Sequence, residues 1–269
     1  MSEAPFEFIP VADLPPGQRF SPYWDVERLC RGPEPVPDWL VTDRAAIDTD
    51  LGILKTGKEA DCFLLERAVP AGPSCILASK RYRGEDHLQF HRSASYVEGR
   101  RTRRSRDARA VEGKTKYGRA VQAASWAIAE WEALKQLWLA GVSVPYPVQI
   151  IGTEILMEYV EHDGQAAPRL VQTRPSLVLL ESYFEQLRDV MAVLARNGWA
   201  HGDLSPYNVL AAGDRLVVID LPQIVDLVAN PAGLEFLMRD CHNVCTWFER
   251  RGLDVDEGAL FADLVAQVF

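Results

Sequence analysis

Apolar positions change period along this chain, and the changes mark out its elements. Up to about residue 48 no period survives. Eight of the seventeen prolines fall there, closing with Pro33, Pro35 and Pro37, so an irregular extension is expected, partly docked through Trp24, Trp39 and Leu40. Three strand-like runs follow: Leu51 to Leu54, Cys62 to Leu65 and Cys75 to Ala78. Pro70-Ala71-Gly72-Pro73 turns the chain between the last two, and the set reads as an antiparallel meander. From Ala120 to Ala140 the period lengthens. Ala124, Ile128, Trp131, Leu134 and Trp138 recur at three- and four-residue steps and predict a helix stopped by Gly141. Pro147 to Ile151 and Ile155 to Val160 return to strand character around Gly152-Thr153.

Glu161-His162-Asp163-Gly164 breaks the pattern and is the natural lobe boundary. Leu177, Leu180, Phe184, Leu187, Met191 and Leu194 then line a helix that stops at Asn197-Gly198. Ala232 to Arg250 and Glu257 to Val268 are further helices. Five strands with one inserted helix, a break, a helix, a loop, a hairpin and terminal helices make an α+β chain. This is the order of a small two-lobed protein-kinase-like fold, with nucleotide expected in the cleft between lobes. The layout divides into a proline-rich extension (1–48), an N-lobe with a five-stranded antiparallel sheet (49–160) and a truncated, mostly helical C-lobe (161–269).

The loop before the hairpin carries the densest chemistry. His201-Gly202-Asp203-Leu204-Ser205-Pro206-Tyr207-Asn208 is followed by the β-branched run Val217-Val218-Ile219 and then Asp220. In phosphoryl transfer an Asp of this spacing takes or orients the hydroxyl proton, and the Asn and second Asp hold magnesium on the phosphates. Val209-Leu210 and Leu216 to Ile219 are expected to pair through a Gly213-Asp214 turn, which returns Asp220 to Asn208. Isolated Asp and Asn residues merely cap turns; four polar residues in this order between apolar strands point beyond that. Gly52-x-x-x-x-Gly57-Lys58 nearly spells a phosphate-binding loop, but Glu59 stands where a hydroxyl should ligate magnesium, and a strand follows rather than a helix. A P-loop NTPase is excluded.

Composition narrows the setting. Apolar residues make up 48% of 269 positions, enough for a sizeable core, and no apolar run approaches a membrane span. The N-terminus lacks a signal-peptide pattern, so a cytoplasmic protein is expected. Cys241-x-x-x-Cys245 with His242 between them lacks the partner pair that a zinc site needs, and reads as reduced, buried cysteines. Net charge is −9, yet Arg100 to Arg119 holds nine basic and two acidic side chains, within a polar loop at 84–119. Such a field steers acidic partners, RNA or an acidic protein surface.

Several stretches resemble the RIO kinase family of atypical serine protein kinases, particularly its bacterial members. They are Thr56-Gly57-Lys58-Glu59-Ala60-Asp61, Lys80-Arg81-Tyr82, Trp126-Ala127-x-x-Glu130, Met157-Glu158-Tyr159-Val160, the His201 to Asn208 loop, Ile219-Asp220 and Glu235-Phe236-Leu237-x-Arg239-Asp240-Cys241-x-Asn243-Val244. The resemblance implies ATP and Mg2+ as cofactors and a serine/threonine protein kinase or ATPase activity. Thr56, Gly57 and Lys58 would lie over the phosphates. Lys80 would hold the α- and β-phosphates and Glu130 would hold Lys80, although spacing alone leaves Glu132 as a competitor. Met157 would be the gatekeeper, with Glu158 and Val160 giving backbone bonds to adenine. Asp203 would be the base, and Asn208 and Asp220 the magnesium ligands. The aspartate matching Asp220 is transiently phosphorylated in family members, which suggests ATPase cycling.

Leu221-Pro222-Gln223 follows Asp220 instead of Phe-Gly, and only 49 residues remain, too few for a peptide-binding platform of ordinary size. The RIO family shares that truncation. A small-molecule phosphotransferase of the aminoglycoside kinase type is the alternative, but those enzymes usually carry a second His where Ser205 stands. A third reading is a nucleotide-gated module that docks Arg100 to Arg119 on RNA or a ribosomal particle.

Overall fold

The computed structural model describes residues 14–83 and 116–268. They form two compact units, one of residues up to 123 with 148–158, the other of residues 124–147 with those from 159 onward. This grouping places 124–147 with the carboxy-terminal residues, whereas the sequence pattern runs the first lobe unbroken from 49 to 160.

The first unit is built on a six-stranded sheet. Its strands are β1 (Gln18–Phe20), β2 (Ile47–Thr56), β3 (Ala60–Ala68), β4 (Ser74–Tyr82), β5 (Pro147–Ile151) and β6 (Glu154–Glu158), in the order β1-β2-β3-β4-β6-β5. It has one strand more than the five expected. β1 lies inside the proline-rich stretch, where Gln18 to Phe20 pair antiparallel with Thr49 to Ile47, and β2 begins at Ile47 rather than Leu51. Three residues are too few to show a period, but between Pro16 and Pro22 the backbone keeps the amide donors that pairing needs. Tyr23, Leu40, Val41 and Ala46 bury the rest of the extension, while Trp24 and Trp39 remain partly exposed. Gly32 fastens it by donating its N–H to the Val148 carbonyl at 2.9 Å.

Arg67 is fully buried in this unit. Its guanidinium donates to both carboxylate oxygens of Asp48, at 2.7 and 3.0 Å, and to Gln149 Oε1 at 3.1 Å. A buried charge is tolerated with this kind of bidentate partner and otherwise costs several kcal/mol, on the order of 3–5 when one partner is removed.

The second unit holds most of helix α1 (Lys116–Leu139) with α2 (Leu177–Arg196), α3 (Gly233–Glu249) and α4 (Glu257–Val268). Short antiparallel pairs accompany them: β7 (Glu161–His162) with β8 (Gln165–Ala166), β9 (Trp199–Ala200) with β12 (Val225–Asp226), and β10 (Val209–Ala212) with β11 (Arg215–Val218). Ser176 caps α2 by accepting the Leu179 N–H at 3.4 Å. Of the predicted apolar face of α2, Leu180, Leu187, Met191 and Leu194 are buried and Phe184 meets Phe248 of α3 edge-on at 5.3 Å, while Leu177 in the first turn is exposed.

The face of α1 differs from its prediction. Ala123, Ala127, Glu130, Trp131, Leu134 and Leu137 are buried, whereas Ile128 is 48% exposed. Trp131 and Leu134 belong to the stripe as predicted, but its first half runs through Ala123, Ala127 and Glu130, which carry little apolar signal, so periodicity there followed Ala124 and Ile128 beside it.

Candidate functional site

The loop from His201 to Asn208 is fixed from both ends and from behind. β9 delivers the chain to His201 and is held by β12 through the pairs Ala200↔Val225 and Trp199↔Asp226. Gly202 then turns with φ +82°; a Cβ there would lie 2.7 Å from the Gln223 carbonyl oxygen and 2.9 Å from Val225 Cγ2, so the position requires glycine. From α3, the carboxylate of Asp240 accepts the N–H of Gly202 on one oxygen and that of Leu204 on the other, both at 2.8 Å. Asn243, one turn on, donates to the Leu204 carbonyl at 3.1 Å, and Arg239 donates to the Gly202 carbonyl. Burial pushes the Asp240 carboxyl up, opposed by the two amides, His201 and Arg239. Asp203 is thus gripped through the peptide groups on either side of it.

His201, itself buried, accepts the Asp203 N–H on Nδ1 at 3.3 Å. Its Nε2 faces the Ile219 carbonyl at 3.2 Å, so the ring proton sits on Nε2 and donates there. One imidazole therefore ties the Asp203 backbone to the strand that leads to Asp220.

Asp203 presents an exposed carboxylate, whereas Asn208 is buried. Asn208 donates Nδ2 to the Asp203 carbonyl at 2.9 Å and to Asp203 Oδ2 at 3.1 Å. The β10–β11 hairpin forms with the predicted register, Val209↔Val218, and Ile219 donates its N–H to the Asn208 carbonyl at 2.9 Å. Asp220 comes next, exposed and left-handed at φ +68°. That conformation costs a side-chain-bearing residue roughly 1–2 kcal/mol, least for Asp and Asn, and such strain concentrates at functional sites.

The donor set fits a hard divalent cation. Asn208 uses its amide nitrogen on Asp203, which leaves Oδ1 as its ligand atom, and Asp220 adds a carboxylate. One or two protein oxygens with phosphate oxygens are what magnesium ordinarily takes. Asp203, with Oδ2 engaged by Asn208, retains acceptor capacity for a hydroxyl proton.

In the first unit, Thr56 closes β2 opposite Asp61. Gly57 donates its N–H to the Ala60 carbonyl at 3.0 Å, and a Cβ at Gly57 would stand 2.7 Å from that oxygen. Lys58 and Glu59 are exposed at the tip. Arg83 grips Asp61, and that bond holds the Asp61 carboxyl below its usual range. Lys80 lies in β4 between Cys62 of β3 and Ile155 of β6, with Nζ 5.2 Å from the centre of the Tyr82 ring. Arg81 points to the other face, where it bonds Glu154 and Asp50, each at 2.9 Å. Met157 is buried opposite Ala78, and Glu158 pairs with Leu77.

In the second unit, Val160 is buried and its carbonyl accepts the Ala167 N–H at 3.0 Å. Glu130 is buried, whereas Glu132 is exposed and bonded to Lys135 at 3.0 Å. The two glutamates thus differ in burial and in local partner. Cys241 and Cys245 are fully buried, and burial pushes their thiols up to about 12 and about 11. His242 turns instead to Glu257 at 3.0 Å. Residues 84–115, with most of the Arg100 to Arg119 segment, lie outside the described residues.

Asp240 and Asn243 fall in the family-like stretch Glu235 to Val244, which by itself implies no task for them. The available signal was an acid in the apolar stripe Leu237, Cys241, Val244, with an amide three residues later. Their partners lie 36 to 39 positions away, which no local pattern reports.

A family model described as the RIO domain matches residues 78–260. The RIO-type serine/threonine-protein kinase Rio1 of Haloferax volcanii is 35% identical over 215 residues, which cover 80% of this chain and 68% of the relative. The serine/threonine-protein kinase RIO3 of Homo sapiens is 33% identical over 129 residues, covering 48% of this chain and 25% of the relative. Among solved structures, the Rio2 kinase–ADP/Mg2+–phosphoaspartate complex from Chaetomium thermophilum superposes with a TM-score of 0.55 at 24% identity, covering 80% of this chain and 60% of that one. That likeness shows the shared protein-kinase-like fold.

Proposed function

This chain belongs to the RIO family, and we propose that it is an ATP- and magnesium-dependent serine/threonine protein kinase or ATPase. The observation that carries the reading is Asp203 itself. Its carboxylate is exposed and bonded to Asn208, while Asp240 and His201 hold its backbone. Asp203 acts as base, and Asn208 and Asp220 hold magnesium, which when bound neutralises charge on the phosphates. Lys80 serves the α- and β-phosphates with Glu130 as its supporting carboxylate. Thr56, Gly57 and Lys58 cover the phosphates, Met157 is the gatekeeper, and Glu158 and Val160 give backbone bonds to adenine.

The family resemblance and the phosphoaspartate in the Rio2 complex extend the proposal to Asp220 as a transient phosphoryl acceptor. Incubation of the purified chain with γ-labelled ATP tests it. Acid-stable, hydroxylamine-resistant label on serine supports the kinase, and hydroxylamine-labile label lost in Asp220→Asn supports ATPase cycling. Absence of both, with phosphorylation of an aminoglycoside, favours the small-molecule alternative. The basic run from Arg100 to Arg119 supports an RNA or ribosomal partner, bound chiefly through phosphate contacts. We place the protein in the cytoplasm, in keeping with five cysteines that form no disulfide. No helix among the described residues is long and apolar enough to cross a membrane.

A further inference from the structure

In the stretch Lys80-Arg81-Tyr82 the lysine has a task and the tyrosine has none so far. Side chains two positions apart in a strand share a face of the sheet. Lys80 and Tyr82 close β4, so the tyrosine ring stands on the side from which the lysine rises. There Lys80 Nζ lies over the ring, 5.2 Å from its centre, within the range at which an aromatic face attracts a cation. Arg81 between them goes to the opposite face, where it bonds Glu154 and Asp50 and lies over the Phe63 ring.

The ring cannot follow the lysine, because its backbone is held on both flanks. Tyr82 is buried, whereas Lys80 is only half-buried. Tyr82 pairs with Ala60 of β3 and donates its N–H to the Thr153 carbonyl at 3.1 Å. Arg83, the next residue, donates its N–H to the Glu59 carbonyl at 2.8 Å and its side chain to Asp61. A free lysine stem samples many rotamers, and ordering it at the moment of binding costs affinity. A carboxylate partner would offset part of the charge that the ammonium offers to a phosphate. An aromatic face holds the ammonium and leaves that charge whole.

We propose that Tyr82 is a positioning residue whose ring seats Lys80 Nζ before nucleotide arrives, so that the phosphates meet a lysine already ordered. The inference rests on the reading of Lys80 as the residue that serves the α- and β-phosphates. The seat acts on phosphate binding alone, and the recognition of adenine does not pass through it.

The test uses the full chain and calorimetric titration of ATP, ADP and adenosine. Tyr82→Leu should weaken ATP and ADP about three- to tenfold and leave adenosine unchanged. Tyr82→Phe, which keeps the ring, should bind all three like the wild type. In a Lys80→Ala background, Tyr82→Leu should cost nothing further, because the two residues act as one unit. Adenosine weakened as much as ATP, or the same loss without Lys80, makes Tyr82 a packing residue only and overturns the proposal. Proton NMR of the nucleotide-free chain reads the seat directly. The ring current should move the Lys80 Cε protons upfield of those of the other lysines in the wild type and in Tyr82→Phe, and Tyr82→Leu should abolish that shift. Ordinary Lys80 shifts in the wild type overturn the seat. Failure of the unmodified chain to bind ATP overturns the reading of Lys80 instead, and the proton shift still decides the seat.

Discussion

Asp240 holds Gly202 by accepting its backbone N–H at 2.8 Å, and no side chain larger than hydrogen fits at Gly202. The same carboxylate takes the Leu204 N–H, so the backbone amides of the residues on either side of Asp203 end on one buried acid. Asp240→Asn leaves one amide facing an NH2 group. An unpaired buried donor costs about 1–3 kcal/mol, or about 2–12 °C in Tm for a chain of this size. A thermal melt should show that loss, and ATP turnover should fall with it because Asp203 loses its seat. Wild-type values for both would remove Asp240 from this role.

Asp203→Asn should nearly abolish turnover while nucleotide affinity persists, because a base acts on the chemical step. Asp220→Asn should instead weaken magnesium-dependent nucleotide binding, because a metal ligand is gone. Calorimetric titration of ATP with and without magnesium separates the two variants, and identical behaviour would falsify the division of roles.

Lys80→Ala should lower turnover by on the order of 10²-fold. Glu130→Gln should act in the same direction, and Glu132→Gln should leave turnover near wild type, since Glu132 is exposed and paired to Lys135. Steady-state kinetics on the three folded variants checks this. A Glu132 variant as damaged as the Glu130 variant would reverse the assignment.

Glu154 should give the first unit an acid-sensitive component of stability. Burial works against its charge, but Arg19, Ser79 and Arg81 outweigh it and hold the carboxyl below its ordinary 4.5. A depressed folded pKa contributes stability that is fully present above the unfolded value and is lost as pH falls through the folded one. Melting temperature should therefore decline below about pH 4.5 as Glu154 protonates. Glu154→Gln should melt lower at neutral pH and show a shallower acid decline. An acid limb of unchanged slope in that variant would locate the effect elsewhere.

Legibility followed the range of each signal. The β10–β11 hairpin and α2 were readable because their turn, cap and apolar residues lie within one short window. The Asp203–Asn208–Asp220 grouping followed from that hairpin, since its register alone returns residue 219 to 208. β1 was not readable, being three residues among prolines that gain meaning only against β2. The face of α1 was misdrawn because alanines and Glu130 carry its burial. Glu130 and Glu132 are indistinguishable by spacing and separate only by exposure. The grip of Asp240 was hidden for a different reason: it joins positions far apart in sequence, and a buried acid in a helix looks the same whatever it holds.

The chain between Ala200 and Val225 closes on itself like a buckled strap. β9 and β12 fasten its ends, β10 and β11 fold its middle, and His201 crosses from one limb to the other. Asp203, Asn208 and Asp220 all hang on this strap within a single unit. Its circumference is therefore the quantity that sequence change must conserve. Residues may be exchanged along it, but one added or removed between Asp203 and Asn208, or between Ile219 and Val225, shifts every buckle at once.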